Sequence, residues 1–218
     1  MAKIKAVLFD LDGTLVDTFW DLYDATNYSM SKTHNPTRTE SEIKSFVGKG
    51  VTNLVHSALG ENVASQKEAR EYFIEYYNSH LTAKSLPYPG IRELVDTLLK
   101  DGYLLGVVTN KREHLAVKII DFFFKDKFGA VVGERKGFPA KPHPEMIERA
   151  LELLGVSSDE VVFIGDSEID YYTAINSNVT SIICTWGFTD KADLIKLSPN
   201  YITDRPLDVL NILDSLQK

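Results

Sequence analysis

The chain has 218 residues, with 24 Lys and Arg against 31 Asp and Glu, a formal net charge of −7. That acidic balance argues against nucleic acid as the main partner, because phosphate backbones are bound largely by clustered Lys and Arg. Hydrophobic residues make up 44% of the chain, enough to bury a sizeable core in one large domain or in a core carrying a smaller inserted one.

The first apolar run, Ala6-Val7-Leu8-Phe9, stops at Asp10. Such a short run, bounded by turn residues, predicts a strand buried on both faces of a parallel sheet. From about Asp17 to Lys84 the pattern reads as consecutive helices at Phe19–Ser31, Glu40–Phe46, Val51–Leu59 and Ser65–His80, punctuated by Pro36, Gly48-Lys49-Gly50 and Gly60. Pro87-Tyr88-Pro89-Gly90 then marks a return to alternating elements. Helical periods at Ile91–Lys100, His114–Phe124, Pro144–Leu154 and Ile169–Asn176 alternate with apolar runs at Tyr103–Val108, Ala130–Val132, Val161–Ile164 and Val179–Cys184. Strands alternating with helices predict a doubly wound, Rossmann-like α/β sheet. The expected organisation is an α/β core from 1–16 and 85–218, with 17–84 as an inserted helical domain.

The single cysteine, Cys184, lies in an apolar run and reads as a small buried hydrophobe. One cysteine rules out an internal disulfide, which fits a reducing compartment. The N-terminal residues lack the apolar stretch of a signal peptide, and no segment approaches membrane-spanning length, so a cytoplasmic location is expected. The aromatic group Tyr72-Phe73, Tyr76-Tyr77 reads as a core-facing stripe, and Phe122-Phe123-Phe124 as core packing. His34, His56, His80 and His114 are scattered without metal-ligand spacing.

In open α/β sheets ligands bind at the carboxyl ends of the strands. Three predicted strands end in polar residues: Asp10, Thr109-Asn110 and Gly165-Asp166. Asp10 and Asp12 stand two apart before Gly13, which allows a sharp turn. Two carboxylates so close repel each other unless a proton or cation lies between them, and Mg²⁺ suits such an all-oxygen site. An Asp-rich turn bonded to its own backbone is the purely structural alternative. Thr109-Asn110-Lys111 offers a hydroxyl, an amide and backbone N–H groups for phosphate oxygens, or simply a helix cap. Lys141-Pro142-His143-Pro144 sets a cation before a helix, either for a site or as a solvated surface charge. Asp166 and Asp170 stand four apart at a helix start and can share one face, with Asp166 as a plain helix cap the structural alternative.

In this order, DLDGTLVD (10–17), VTNK (108–111), KPHP (141–144) and GDSEID (165–170) resemble the four motifs of the haloacid-dehalogenase superfamily over nearly the whole chain. The helical insertion resembles that superfamily's small α-helical cap. FVGKGV (46–51), YPGI (88–91) and TWGF (185–188) resemble the phosphoglycolate phosphatase subgroup. The resemblance implies a Mg²⁺-dependent phosphatase in which Asp10 attacks phosphorus and Asp12 first protonates the leaving oxygen and then activates water. It implies Mg²⁺ at Asp10, the backbone carbonyl of Asp12 and Asp166, with Asp170 supporting the metal or Lys141. Thr109, Asn110 and Lys141 would bind the phosphoryl group, and Gly48, Lys49 and Gly50 of the cap would touch the substrate. The implied partner is a small phosphorylated metabolite, 2-phosphoglycolate first, acted on by a monomer or homodimer. A β-type hexose-phosphate mutase, a pyrophosphatase and a non-catalytic binding protein on the same fold stay open. Ala174-Ile175-Asn176-Ser177-Asn178 departs from the family's frequent Ala-Arg-Asn-Ala-Gly pattern, although Asn can end a helix in the left-handed conformation as Gly does.

Overall fold

A computed structural model describes residues 3–217. In chain order the elements are β1 (Ala6–Phe9), β2 (Val16–Asp17), α1 (Phe19–Lys32), α2 (Glu40–Phe46), α3 (Gly50–Leu59), a 3₁₀ turn (Val63–Ser65), α4 (Gln66–Ser79) and β3 (Leu86–Pro87). They continue with α5 (Ile91–Lys100), β4 (Leu104–Arg112), α6 (Glu113–Phe124), β5 (Ala130–Glu134), α7 (Glu145–Leu154), a 3₁₀ turn (Ser158–Glu160) and β6 (Val161–Gly165). The last are α8 (Glu168–Asn176), β7 (Thr180–Cys184), α9 (Lys191–Lys196), β8 (Tyr201–Thr203) and α10 (Asp208–Leu216). Two compact units result, one of residues 1–16 with 87–218, the other of residues 17–86.

The first unit is built on a six-stranded parallel sheet in the order β5-β4-β1-β6-β7-β8. The order reverses on either side of β1, which makes the carboxyl end of β1 the topological switch point where such sheets bind ligands. All four β1 residues are fully buried, as an apolar run without alternation requires. Ala6 and Leu8 join Val108, Val132 and Phe163 on one face, against Met146, Ile147 and Ala150 of α7 and Ala174 of α8. Phe9 points to the other face and meets Phe128, which in turn meets Phe124 of α6. Each large side chain so buried contributes about 1.5–3 kcal/mol.

One strand runs further than its apolar stretch. β4 continues through Thr109-Asn110-Lys111 to Arg112, with its pairing to β5 shifted between Val108 and Arg112. An irregularity of this kind re-aims side chains next to a site. Phe122 departs from the expected core role: it is 66% exposed, while Phe123 and Phe124 are buried. At 3.6 residues per turn, Ala116, Ile119, Ile120, Phe123 and Phe124 share the inner face of α6, and position 122 falls outside it.

The second unit packs α1 against α4, with α2 and α3 beside them. Phe73 and Tyr77 of α4 are buried, as the aromatic stripe predicts. Asp21 in α1 accepts hydrogen bonds from the backbone N–H groups of Lys84 and Ser85 and from the Ser85 hydroxyl, which ties the end of this unit to its first helix. Gly48 and Gly50 both have positive φ, at 99° and 79°, so the turn that presents the exposed Lys49 at the start of α3 depends on glycine. Among the described residues no helix is long and apolar enough to cross a membrane.

Candidate active site

The site is assembled at the carboxyl ends of β1, β4 and β6. Asp10 follows β1 directly, and its backbone N–H donates to Ile164 O in β6 (2.8 Å). Its side chain is buried, and Oδ1 lies 2.8 Å from Lys141 Nζ. Lys141 Nζ also donates to Asp170 Oδ1 (2.7 Å) and to Val108 O (3.0 Å), and lies over the Phe163 ring. One buried cation thus joins two carboxylates from different parts of the chain.

Local structure fixes each of these groups. Ser167 caps α8: its Oγ accepts from the Asp170 N–H, while Asp170 Oδ2 accepts from the Ser167 N–H and hydroxyl. This reciprocal cap leaves Asp170 Oδ1 for Lys141. Asn110 holds Lys141 from the other side, its Oδ1 accepting from the Lys141 N–H (2.8 Å) and its Nδ2 donating to the Lys141 carbonyl (3.2 Å). The Asn110 side chain, expected at the phosphate, braces the lysine backbone in this structure. Thr109 Oγ1 accepts from the Lys111 N–H (3.2 Å), which leaves its hydroxyl hydrogen to donate elsewhere.

Asp166 closes the third side. Its Oδ1 accepts from the Thr14 hydroxyl (3.2 Å) and its Oδ2 from the Phe188 N–H (2.7 Å). The fit around it is close. A Cβ on Gly13 would come within 2.4 Å of Asp166 Oδ2, and one on Gly187 within 2.3 Å. Trp186 Nε1 donates to Thr14 O (3.0 Å), so the loop after β7 is pinned to the turn after β1. Cys184, buried as expected, points its thiol at Thr14.

Oxygens of Asp10, Asp166 and Asp170 lie within 4.8 Å of one another. Burial raises the Asp10 pKa to about 6; Lys141 pulls it down, while Asp170 and Asp12 push it up. Burial, with Asp170 and Asp10 nearby, raises Asp166 well above the ordinary carboxylate range. Burial opposes the charge on Lys141, but Asp10 and Asp170 outweigh it and raise its pKa. Buried carboxylates held this near one another favour a further cation, and an all-oxygen donor set fits a hard ion such as Mg²⁺. The residues present therefore fit that metal. The Asp12 carboxylate points elsewhere: both its oxygens accept from Lys111 Nζ, at 2.8 and 2.9 Å.

The motifs single out Asp10, Asp12, Thr109, Asn110, Lys141, Asp166 and Asp170; the fold gathers Asp10, Lys141, Asp166 and Asp170, sets Asn110 on the Lys141 backbone, and joins both Asp12 and Thr109 to Lys111. Lys111, Thr14, Gly187 and Phe188 were not assigned to the site from sequence. Gly187 and Phe188 belong to the TWGF segment, whose place in space the sequence does not give.

The constellation and the sheet define a hydrolase of a known class: residues 7–184 match the haloacid dehalogenase-like hydrolase family, and the chain belongs to it. Its similarity runs to the phosphatases of that family. It is 30% identical to a phosphoglycolate phosphatase of Nitrosococcus oceani, over 96% of each chain. A predicted phosphoglycolate phosphatase from Haemophilus somnus superposes with a TM-score of 0.90 at 27% identity, covering 97% of this chain and 99% of that one. A haloacid dehalogenase-like hydrolase from Streptococcus pneumoniae gives 0.87 at 28% identity with the same coverage.

Proposed function

We propose that this phosphatase hydrolyses a small phosphate monoester, 2-phosphoglycolate, through a phospho-aspartate on Asp10, with Mg²⁺ as cofactor and the cytoplasm as its compartment. The observation that carries the reading is the Lys141 ammonium held between Asp10 and Asp170 at the switch point of the sheet. Asp10 forms a bond from a carboxylate oxygen to phosphorus as the bond to the leaving oxygen breaks. Asp12 gives its proton to that oxygen and later takes one from the water that cleaves the aspartyl phosphate. A carboxylate nucleophile divides a difficult hydrolysis into two easier steps, and one acid–base group can serve both. Lys141 and the Thr109 hydroxyl neutralise and orient the phosphoryl oxygens, the main demand of phosphoryl transfer. Asn110 serves them by fixing the Lys141 backbone.

Asp10, Asp166 and the Asp12 backbone carbonyl would hold Mg²⁺, with Asp170 in support. When bound, the metal supplies positive charge for the phosphoryl oxygens. Residues 17–86 act as the cap, with Gly48, Lys49 and Gly50 assigned to substrate contact. The substrate assignment rests on relatives named phosphoglycolate phosphatase.

A panel of phosphorylated metabolites assayed with Mg²⁺ and with EDTA tests the reading. The expected result is a kcat/KM for 2-phosphoglycolate at least about 10-fold above sugar phosphates and pyrophosphate, with loss of activity in EDTA. Asp10→Asn should lower kcat by about 10³-fold or more, and full activity in that variant would sink the covalent mechanism. No preference for 2-phosphoglycolate removes the substrate and keeps the chemistry; sugar-phosphate isomerisation without phosphate release points to a mutase.

A further inference from the structure

Among the described residues Lys111 and Lys141 are the only buried cationic side chains. The Lys111 side chain is 3% exposed and meets both oxygens of Asp12, whose side chain is 14% exposed. The two residues are far apart in sequence and are joined by the pairing of β1 with β4. Lys111 sits in the part of β4 where pairing with β5 shifts register, and its backbone N–H is tied to Thr109 Oγ1. The cation that reaches Asp12 is thus carried by the same three residues that present the Thr109 hydroxyl.

We propose that Lys111 is a positioning residue for Asp12: its two-point contact fixes the rotamer of the proton-transferring carboxyl against the leaving oxygen. This rests on the proposed role of Asp12. A proton donor works only within about 2.6–3.2 Å of its target, and an aspartate at the entry to a tight turn keeps one χ1 only when partners hold its carboxyl group. A carboxyl group that carries its proton on one oxygen still accepts from a cation through the other. The ammonium therefore releases one oxygen to the substrate while keeping the group oriented. During the first step the proton moves from Asp12 to the departing oxygen, and Lys111 neither gains nor loses one.

Leaving-group dependence reads this out. An alkyl phosphate such as 2-phosphoglycolate needs its leaving oxygen protonated, whereas p-nitrophenyl phosphate releases a stable phenolate without help. In single-turnover measurements with Mg²⁺, Lys111→Met should slow alkyl leaving-group release by about 10²-fold and leave the nitrophenolate burst within about 3-fold of wild type. Lys111→Arg, which keeps a cation but moves its centre, should recover part of the alkyl rate. Equal losses on both substrates, or none on the alkyl phosphate, would overturn the proposal. The burst also reports folding: if Lys111→Met gives none, Lys111→Arg carries the test, and equal effects on its two rates overturn the proposal. Asp12→Asn run beside them separates the two claims. If Asp12→Asn shows no alkyl-specific loss, the acid–base role of Asp12 fails; if it shows one and Lys111→Met does not, only the positioning claim fails.

Discussion

In the α/β unit most buried polar side chains gather around the ends of β1, β4 and β6, while in the helical unit most lie along α1 and are met by backbone groups. Thr26 Oγ1 donates to Leu22 O and Ser29 Oγ to Thr26 O, within α1 itself. Asp21 is buried too, but backbone N–H groups meet both of its oxygens. At the strand ends, by contrast, Asp10, Asp166 and Asp170 crowd one another around Lys141. Burial with like charge costs stability, and functional sites are where such clusters are kept in spite of that cost. Where polar burial is locally satisfied it shapes packing, and where it is crowded it marks chemistry.

The largest break in that contrast should come from Lys141→Met. It removes the cation shared by Asp10 and Asp170 and should destabilise the protein by about 3–5 kcal/mol, read from urea unfolding in EDTA. It should also lower kcat by about 10²–10³-fold. A variant as stable as wild type would mean that the cluster is not under charge stress.

A second test uses pH. Asp10 titrates near 6 in the folded protein and near 3.9 when unfolded. Between about pH 4 and 6 the folded state therefore keeps a proton that the unfolded chain has lost. Stability falls as pH rises through that window, and the penalty is complete above it, on the order of 3 kcal/mol. Urea midpoints in EDTA should show Asp10→Asn gaining on wild type as pH rises from 4.5 to 7. Added Mg²⁺ should shrink the gain, because a bound cation favours the ionised carboxylate. A wild-type-to-variant difference that ignores pH would break the claim.

The smallest effect belongs to the helical unit. Thr39 caps α2, with its Oγ1 accepting from the Glu42 N–H and Glu42 accepting from the Thr39 N–H. Thr39→Ala should cost about 1 kcal/mol of stability and leave kcat unchanged, as thermal unfolding and a steady-state assay would show.

Much of this was legible in the sequence where a run of residues carries its own signal. Ala6–Phe9 reads as a buried strand because it lacks alternation, and Asp10 stands out because it ends that run. The helical repeats around it are equally plain. β8 was not anticipated, since three residues of mixed burial hold no period. The continuation of β4 through polar Thr109-Asn110-Lys111 also escaped, because partners across the sheet, not propensity, keep that stretch extended. The Asp12–Lys111 pair and the contacts of Asp166 with Phe188 and Gly187 depend on strand order. No local pattern encodes it.

The two glycines against Asp166 have a consequence for lineage. With no room for a single methyl at position 13 or 187, a descendant chain can acquire a side chain at either place only by displacing the carboxylate. Drift at these two sites is therefore coupled to a shift of Asp166. A relative with the same fold and a larger residue at either position must hold the carboxylate that corresponds to Asp166 in another place.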